Sequence, residues 1–381
     1  MKRNKIIHIV TSDKSLILMD GQIEYLRKNG LDASVISSPG KHYDNYDSPK
    51  YSISMEREIN LVSDIKSLIK LIQYFRKVKP VIINYGTPKA SLLGALAGLI
   101  TGVPNRIYTI RGLRLETMTG KKLKLFEFIE KIILSISTEI IAISPSLKNK
   151  IEQLKLTNNK EISVLGNGSS NGLNPVYLEI NDQDKQKSKT IAKELSIEDK
   201  FVFGFVGRIN QDKGINELVE VFTELELNNA VLLLIGDIEK SNKVKNVTLE
   251  KIENCNEIIH VGHQSNLKPY YLCMDIFVFP THREGFGNVS IEAQAMGVPV
   301  ICSNATGAID TILEKHTGEF FQTNDKISLK YIMKKMYENP DLIKLYSNKS
   351  RPFVLSRFDR EIIQHSLLEK YISLIESRNI K

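Results

Sequence analysis

Glu284 and Glu292 lie in the stretch EGFGNVSIEAQAMGVPVI, residues 284–301, with Gly285 and Gly287 between them. Eight steps along an α-helix turn about 800° and leave two side chains about 80° apart, so one unbroken helix would not aim both carboxylates at one ligand. The glycines break it. Glu284 is expected on a loop after the apolar run DIFVFP, Asn288 as the cap of the next helix, and Glu292 near that helix's first turn. The two carboxylates can then reach different parts of one bound molecule, with the amides of Phe286, Gly287, Asn288 and Val289 facing the same space. Read alone, the spacing fits equally well a capped helix whose acidic first turn is favoured by the helix dipole.

A second stretch, GRINQDKG from Gly207 to Gly214, follows the apolar run FVFGFVG and precedes INELVEVFTEL. Loop amides ahead of a helix N-terminus suit an anion, and Arg208 and Lys213 add two cations suited to a diphosphate. An ordinary strand-to-helix turn with solvated charges has the same residues.

Alternating elements must position these segments. In the first half, IIHIV, ASVIS, VIINY, RIYTI and EIIAIS read as short strands, separated mostly by helical runs such as LVSDIKSLIKLIQYFRKVK and KLKLFEFIEKIILSI. That alternation predicts a parallel sheet covered by helices. SLLGALAGLITGV, residues 91–103, is too short to span a bilayer and reads as a buried helix whose glycines allow close packing. Asp20 is expected to cap the first helix, and Asn29-Gly30 to end it. After the polar run NDQDKQKSK the pattern restarts with FVFGFVG, AVLLLIG, EIIHVG, DIFVFP and VPVIC. The chain is therefore expected to be α/β, with two Rossmann-like domains of similar size facing each other across a cleft.

Composition narrows the setting. The chain has 381 residues, 42% of them hydrophobic and 25% charged, and a net charge of +8. Residues 1–170 hold 26 Lys and Arg against 15 Asp and Glu, and the remaining 211 hold 26 against 29. A basic first half suits nucleic acid, an anionic membrane or a phosphorylated substrate. No nucleic-acid module is recognisable, so no nucleic-acid partner is expected. The N-terminus has no signal-peptide pattern. Cys255, Cys273 and Cys302 have no metal-like spacing and fit a reducing cytoplasm. Asp182-Gln183-Asp184 spells a D-x-D motif, but in a run of linker charges with no strand before it, and no metal is expected there.

The segment E-G-F-G-x3-x-E-A-x-A-x-G-x-P-V, preceded by G-R-x4-K-G and Val261–His263 and followed by TGAIDT at 306–311, resembles the signature of glycosyltransferase family 4, which has the GT-B fold. In the N-terminal half, the stretches TSDKSLILMDGQIEYLRKNGLDASVISSPG, RIYTIRGLRLE and VLGNGSSNGLN are similar to the CapM-type branch, which builds capsular and other surface polysaccharides. The resemblance implies an acceptor-binding domain of residues 1–175, with 357–381 returning to it as a C-terminal helix, and a donor-binding domain of 176–356. It implies a retaining transfer of a hexose or an N-acetylated hexosamine, 6-deoxy or not. The donor would be a nucleotide-sugar, with UDP favoured, and the acceptor a lipid-linked saccharide on polyprenyl diphosphate. No cofactor or metal is implied, the nucleotide-sugar being a substrate.

The same resemblance implies the site. Arg208 and Lys213, with Gly207, hold the donor diphosphate and stabilise the leaving group. Glu292 takes the ribose hydroxyls, and Glu284 faces the transferred sugar. The amides of Gly285, Phe286, Gly287, Asn288 and Val289 hold sugar and phosphate, His263 borders the base, and Gly21 approaches the diphosphate from the first domain. Two departures stand out. One glycine, Gly21 after Asp20, stands where many relatives have a pair. YTIRGLR places Arg111 and Arg114 where many carry a histidine, and Arg111 is expected to meet the reacting sugar or an acceptor phosphate. Lys121, Lys122 and Lys124, with those arginines, are expected to form a patch for an anionic membrane, which places the protein on the inner face of the cell membrane. Other readings are a soluble acceptor, a nucleotide-sugar epimerase, a glycosidase on a similar scaffold, or a nucleic-acid-binding protein.

Overall fold

A computed structural model describes residues 4–56, 58, 60–157, 159–239 and 244–379. The chain divides into two compact units, Met1–Gly172 with Arg360–Lys381, and Leu173–Asp359.

The first unit holds seven strands: β1 Lys5–Ile9, β2 Asp32–Ser37, β3 Lys50–Ser52, β4 Ile82–Tyr85, β5 Asn105–Ile110, β6 Glu139–Ala142 and β7 Ile162–Val164. They form one parallel sheet in the order β3-β2-β1-β4-β5-β6-β7. Interior strands are near-continuous apolar runs because helices cover both faces. The helix Pro88–Ile100 lies tight on this sheet: a Cβ on Gly94 would meet the Ile9 Cδ1 at 3.0 Å, and one on Gly98 the Ile83 Cδ1 at 2.3 Å. The expected small-residue packing is what these glycines provide.

The helix Arg360–Asn379 completes this unit. Its Leu367, Leu368 and Tyr371 pack with Ile6, Ile23, Leu26, Ile82 and Ile107. Tyr371 is fully buried, and its hydroxyl pairs with His8 Nε2 at 3.0 Å and accepts from Asn84 Nδ2 at 2.8 Å. Thr109 Oγ1 donates to Asn84 Oδ1 at 2.8 Å, so one buried chain of polar groups joins the last helix to β1, β4 and β5.

The second unit holds β8 Phe201–Val206, β9 Ala230–Ile235, β10 Ile258–His260, β11 Ile276–Phe279, β12 Val300–Ser303 and β13 Gly318–Phe321. Their parallel order is β10-β9-β8-β11-β12-β13. Strand order reverses between β1 and β4 in the first sheet and between β8 and β11 in the second. At such points the loops leaving adjacent strands diverge, and ligands bind at the strands' carboxyl ends.

Two expected caps are corrected. Gly21, at φ 70°, and not Asp20, is the N-cap of the helix Gln22–Lys28, and Gly287, at φ 104°, is the N-cap of Asn288–Ala295, with Asn288 already inside it. Both positions need a left-handed backbone, which glycine adopts without a Cβ clash. The D-x-D run is no linker: Asp182 and Asp184 open the helix Asp182–Glu194, where Asp184 closes a capping box with Asn181.

Replacing Tyr371 by Phe removes a partner from both Asn84 and His8 in a dry interior. The expected loss is about 1–3 kcal/mol of stability, measured by urea unfolding. A smaller change would show that this polar chain is not holding the last helix.

Candidate functional site

The loops leaving β8 and β11 meet. Asn210 turns the first by accepting from the amide of Lys213 at 3.1 Å. Gly214 follows at φ 69°, and a Cβ there would fall 2.0 Å from the Pro280 carbonyl oxygen just past β11. Only a glycine permits that approach. From this turn Lys213 Nζ donates to Glu284 Oε1, each side chain 18% exposed. Asp212 fastens the same contact from the other side: its carbonyl accepts from the His282 amide at 2.9 Å and its carboxylate from Arg283 Nη2 at 2.7 Å.

The neighbouring turns complete the cluster. Arg208 Nη1 donates to both oxygens of Glu239 at 2.9 Å, and Asn210 Nδ2 to the same carboxylate at 2.6 Å. The Glu284 amide donates to the Thr306 carbonyl at 3.1 Å. Gly307 lies so close beneath that a Cβ would sit 2.6 Å from the Gly285 carbonyl. The Phe286 side chain is buried against Phe358, with ring centroids 5.1 Å apart, and so anchors the loop. Asn288 is exposed and Val289 half-buried at the start of the helix Asn288–Ala295. That helix's N-terminus contributes positive potential.

Glu292 lies one turn into that helix. Tyr271 donates to its Oε2 at 3.1 Å, and Tyr177 is a second phenol bonded to it. Burial raises the Glu292 carboxyl from 4.5 to about 7. His263 is exposed on the loop after β10, where the Gly262 carbonyl accepts from the Gly236 amide at 2.8 Å. The second unit thus sets Arg208 and Lys213 after β8, and Glu284, the 285–289 backbone and Glu292 after the adjacent β11, with Lys213 and Glu284 in direct contact.

In the first unit, Asp20, which precedes Gly21, and Arg111 meet one loop, residues 168–172. Arg111 Nε donates to Ser170 Oγ at 2.8 Å, and Asn171 Nδ2 donates to the Asp20 carbonyl at 2.7 Å. Lys121, Lys122 and Lys124 are exposed on the helix Gly120–Ile136, beside Leu125 at 49% and Phe128 at 62% exposure. Arg114 begins a short 3-10 turn, Arg114–Thr117. Elsewhere, Asp184 of the D-x-D run pairs with Lys268 at 2.6 Å, and Asp182 with Lys185 at 3.3 Å. Among the described residues no group of three or more His, Cys, Asp or Glu is placed to hold a metal.

Sequence reasoning did not single out Glu239, Tyr177, Tyr271, Gly86 or Ser170. Glu239 was accessible in principle, since it lies just past β9 and parallel pairing sets that loop beside the one after β8. The tyrosines carry no local signal.

Two parallel Rossmann-like sheets with these loops make the GT-B arrangement, and the solved structures agree on the fold. Anabaena Alr3699/HepE in complex with UDP superposes with a TM-score of 0.80 at 18% identity, covering 97% of this chain and 100% of that one. Residues 186–352 match the glycosyl transferases group 1 family and residues 5–144 the glycosyl transferase 4-like family. The capsular polysaccharide biosynthesis glycosyltransferase CapM of Staphylococcus aureus is 43% identical over 379 residues, 99% of each chain. The UDP-Gal:alpha-D-GlcNAc-diphosphoundecaprenol alpha-1,3-galactosyltransferase of Escherichia coli is 27% identical, over 71% of this chain and 69% of its own. The chain belongs to glycosyltransferase family 4, in its CapM-like branch, and is a glycosyltransferase.

The raised Glu292 carboxyl has a consequence for the protein without substrate. The folded state holds this proton more tightly than the unfolded chain, so stability falls as pH rises from 4.5 to about 7. Glu292→Gln is expected to flatten that dependence and to be the more stable form at pH above the window. Parallel urea curves for the two proteins across the window would contradict it.

Proposed function

We propose that this enzyme moves a hexose or N-acetylated hexosamine from a nucleotide-sugar, UDP-linked by preference, to a saccharide on polyprenyl diphosphate, with retention, during assembly of a capsular or other surface polysaccharide. The observation that carries this reading is the Lys213–Glu284 contact at the strand reversal, which sets a cation and a carboxylate of two motifs side by side. The names of the Staphylococcus and Escherichia relatives, the first a capsular enzyme and the second acting on a diphosphoundecaprenol-linked sugar, support the pathway and the acceptor class.

The chemistry must separate a sugar carbon from a phosphate oxygen and meet charge on both sides. Phosphate oxygens of the donor displace Glu239 from Arg208 and share Lys213 with Glu284. The developing negative charge is then met by two cations and by the amides at the N-terminus of the helix Asn288–Ala295. Glu284 positions the transferred sugar through its hydroxyls. Glu292, steadied by two phenols, accepts from the ribose diol, and those donors favour its charged form. The departing phosphate helps to deprotonate the acceptor on the same face, which retains configuration without a covalent enzyme intermediate. No metal is needed to neutralise the leaving group.

Among the described residues no helix is long and apolar enough to cross a membrane. The exposed Leu125 and Phe128 beside Lys121, Lys122 and Lys124 favour peripheral docking on an anionic inner leaflet. Leu61, Val62 and Ile65 of the helix Leu61–Val78 are also exposed and add apolar area to that unit.

The test is a panel of nucleotide-sugars against polyprenyl-diphosphate-linked sugars, read by mass spectrometry with and without EDTA. Product is expected only when both substrates are present, and undiminished in EDTA. Lys213→Ala is expected to lower chiefly turnover, and Glu292→Ala to raise the donor KM by an amount matching about 1.5–3 kcal/mol. Nucleoside diphosphate release without acceptor-linked product would refute transfer. For docking, wild type is expected to sediment with phosphatidylglycerol vesicles at low salt and to release at high salt. Binding unaffected by the double change Leu125→Glu, Phe128→Glu would remove this helix from the contact.

A further inference from the structure

Arg111 leaves the carboxyl end of β5 and lies across Gly86, at the carboxyl end of the adjacent β4. A Cβ on Gly86 would fall 1.7 Å from Arg111 Nη1 and 2.6 Å from the Thr109 carbonyl oxygen. No other residue type leaves the guanidinium where it is. Among the described residues no carboxylate lies within ion-pair distance of it. The groups that face it are His8, Tyr108 and Tyr371, all uncharged near neutral pH. Burial first, and the Arg111 charge second, push the His8 imidazole down to about 3. Burial raises both phenols above their ordinary value. Burial also lowers Arg111 itself to about 10, which still leaves it charged. A partly buried cation with no countercharge among the described residues is costly to fold around. Arg208 and Lys213, by contrast, each have a carboxylate.

The residue before the partner that aims Arg111 is held under strain. Ser170 follows Ser169, whose φ is 87°, a conformation that disfavours any side chain. That turn is tied down on every side: the Ser169 amide donates to the Ile143 carbonyl at 2.7 Å, and Ser169 Oγ accepts from the Gly172 amide at 3.0 Å. Asn171 then anchors it to the Asp20 carbonyl, next to Gly21. A cleared glycine, an unneutralised planar cation and a strained loop that fixes its Nε converge on one spot at the strand reversal of the first sheet.

We propose that Arg111, cleared by Gly86 and aimed by Ser170, is the seat for the phosphate oxygens of a substrate diphosphate. The planar guanidinium fork matches two phosphate oxygens, and the N-terminal end of the helix Pro88–Ile100, which begins two residues after Gly86, adds to the positive potential. The seat deepens the glycosyl-transfer reading and rests on it only for the source of the diphosphate, which is either the nucleotide donor or the lipid-linked acceptor.

The experiment measures binding, not turnover. UDP and farnesyl diphosphate are titrated calorimetrically into the full chain and into Arg111→Ala, Arg111→Lys and Ser170→Ala. Arg111→Ala is expected to weaken one of the two probes at least about tenfold, as loss of a charge-assisted hydrogen bond does. Arg111→Lys should fall between, and Ser170→Ala should weaken the same probe roughly threefold. A loss for UDP assigns the seat to the donor, and a loss for farnesyl diphosphate assigns it to the acceptor. Wild-type affinity of Arg111→Ala for both probes overturns the proposal. Should Arg111→Ala fail to fold, judged by its thermal melt, Ser170→Ala decides: a threefold loss for one probe sustains the seat and unchanged affinities overturn it. Because no transfer is read, these outcomes stand whether or not the proposed reaction is found.

Discussion

Lys213 reaches Glu284 across 71 residues of chain, and the contact exists because β8 and β11 are neighbours in a parallel sheet whose order reverses between them. The helices that follow these strands pack on opposite faces, so the loops before them part and then lean together at the carboxyl edge. That approach works only if one loop brings no side chain to the point of contact, which is what Gly214 contributes beneath the Pro280 carbonyl. Arg208, Glu239, the 285–289 backbone and Glu292 all take their places from the same edge. Compensation of charge follows the same geometry. Each of the two cations on the loop after β8 has a carboxylate from another loop, Glu239 for Arg208 and Glu284 for Lys213.

The two units treat their cations differently. In the second, carboxylates accompany Arg208 and Lys213, and in the proposed reaction a donor phosphate would exchange with them. In the first, Arg111 is surrounded by an imidazole and phenols that stay neutral, held by one serine hydroxyl. The first arrangement favours reversible exchange, and the second favours a standing field.

Much of the fold was legible because interior parallel strands are apolar on both faces and read as runs: FVFGFVG, AVLLLIG and DIFVFP became β8, β9 and β11. Strands β3, β7 and β13 were not identified. Each lies at a sheet edge, spans three or four residues and includes polar or charged positions, so none stands out as an apolar run. The cap errors at Asp20 and Asn288 have one cause. Polar side chains were weighed as caps, whereas the backbone needed glycine at the adjacent position. At Gly287 a Cβ would strike the Phe279 ring at 2.6 Å, a tertiary constraint invisible in local sequence. The site was legible as far as motifs run along the chain. The groups that orient those motifs, Glu239 for Arg208, Tyr271 and Tyr177 for Glu292, and Ser170 for Arg111, come from distant elements and emerge only once the sheets are assembled.

The last helix carries a consequence of a different kind. Leu367, Leu368 and Tyr371 fill the core that Ile6, Ile23 and Ile82 begin, so the first unit is assembled from the two extremes of the described chain, while residues 173–359 form the second without interruption. During synthesis the first sheet emerges early, yet one of its apolar faces waits uncovered until the ribosome has produced everything after it. The unit made second can close first, reversing the usual correspondence between order of emergence and order of folding.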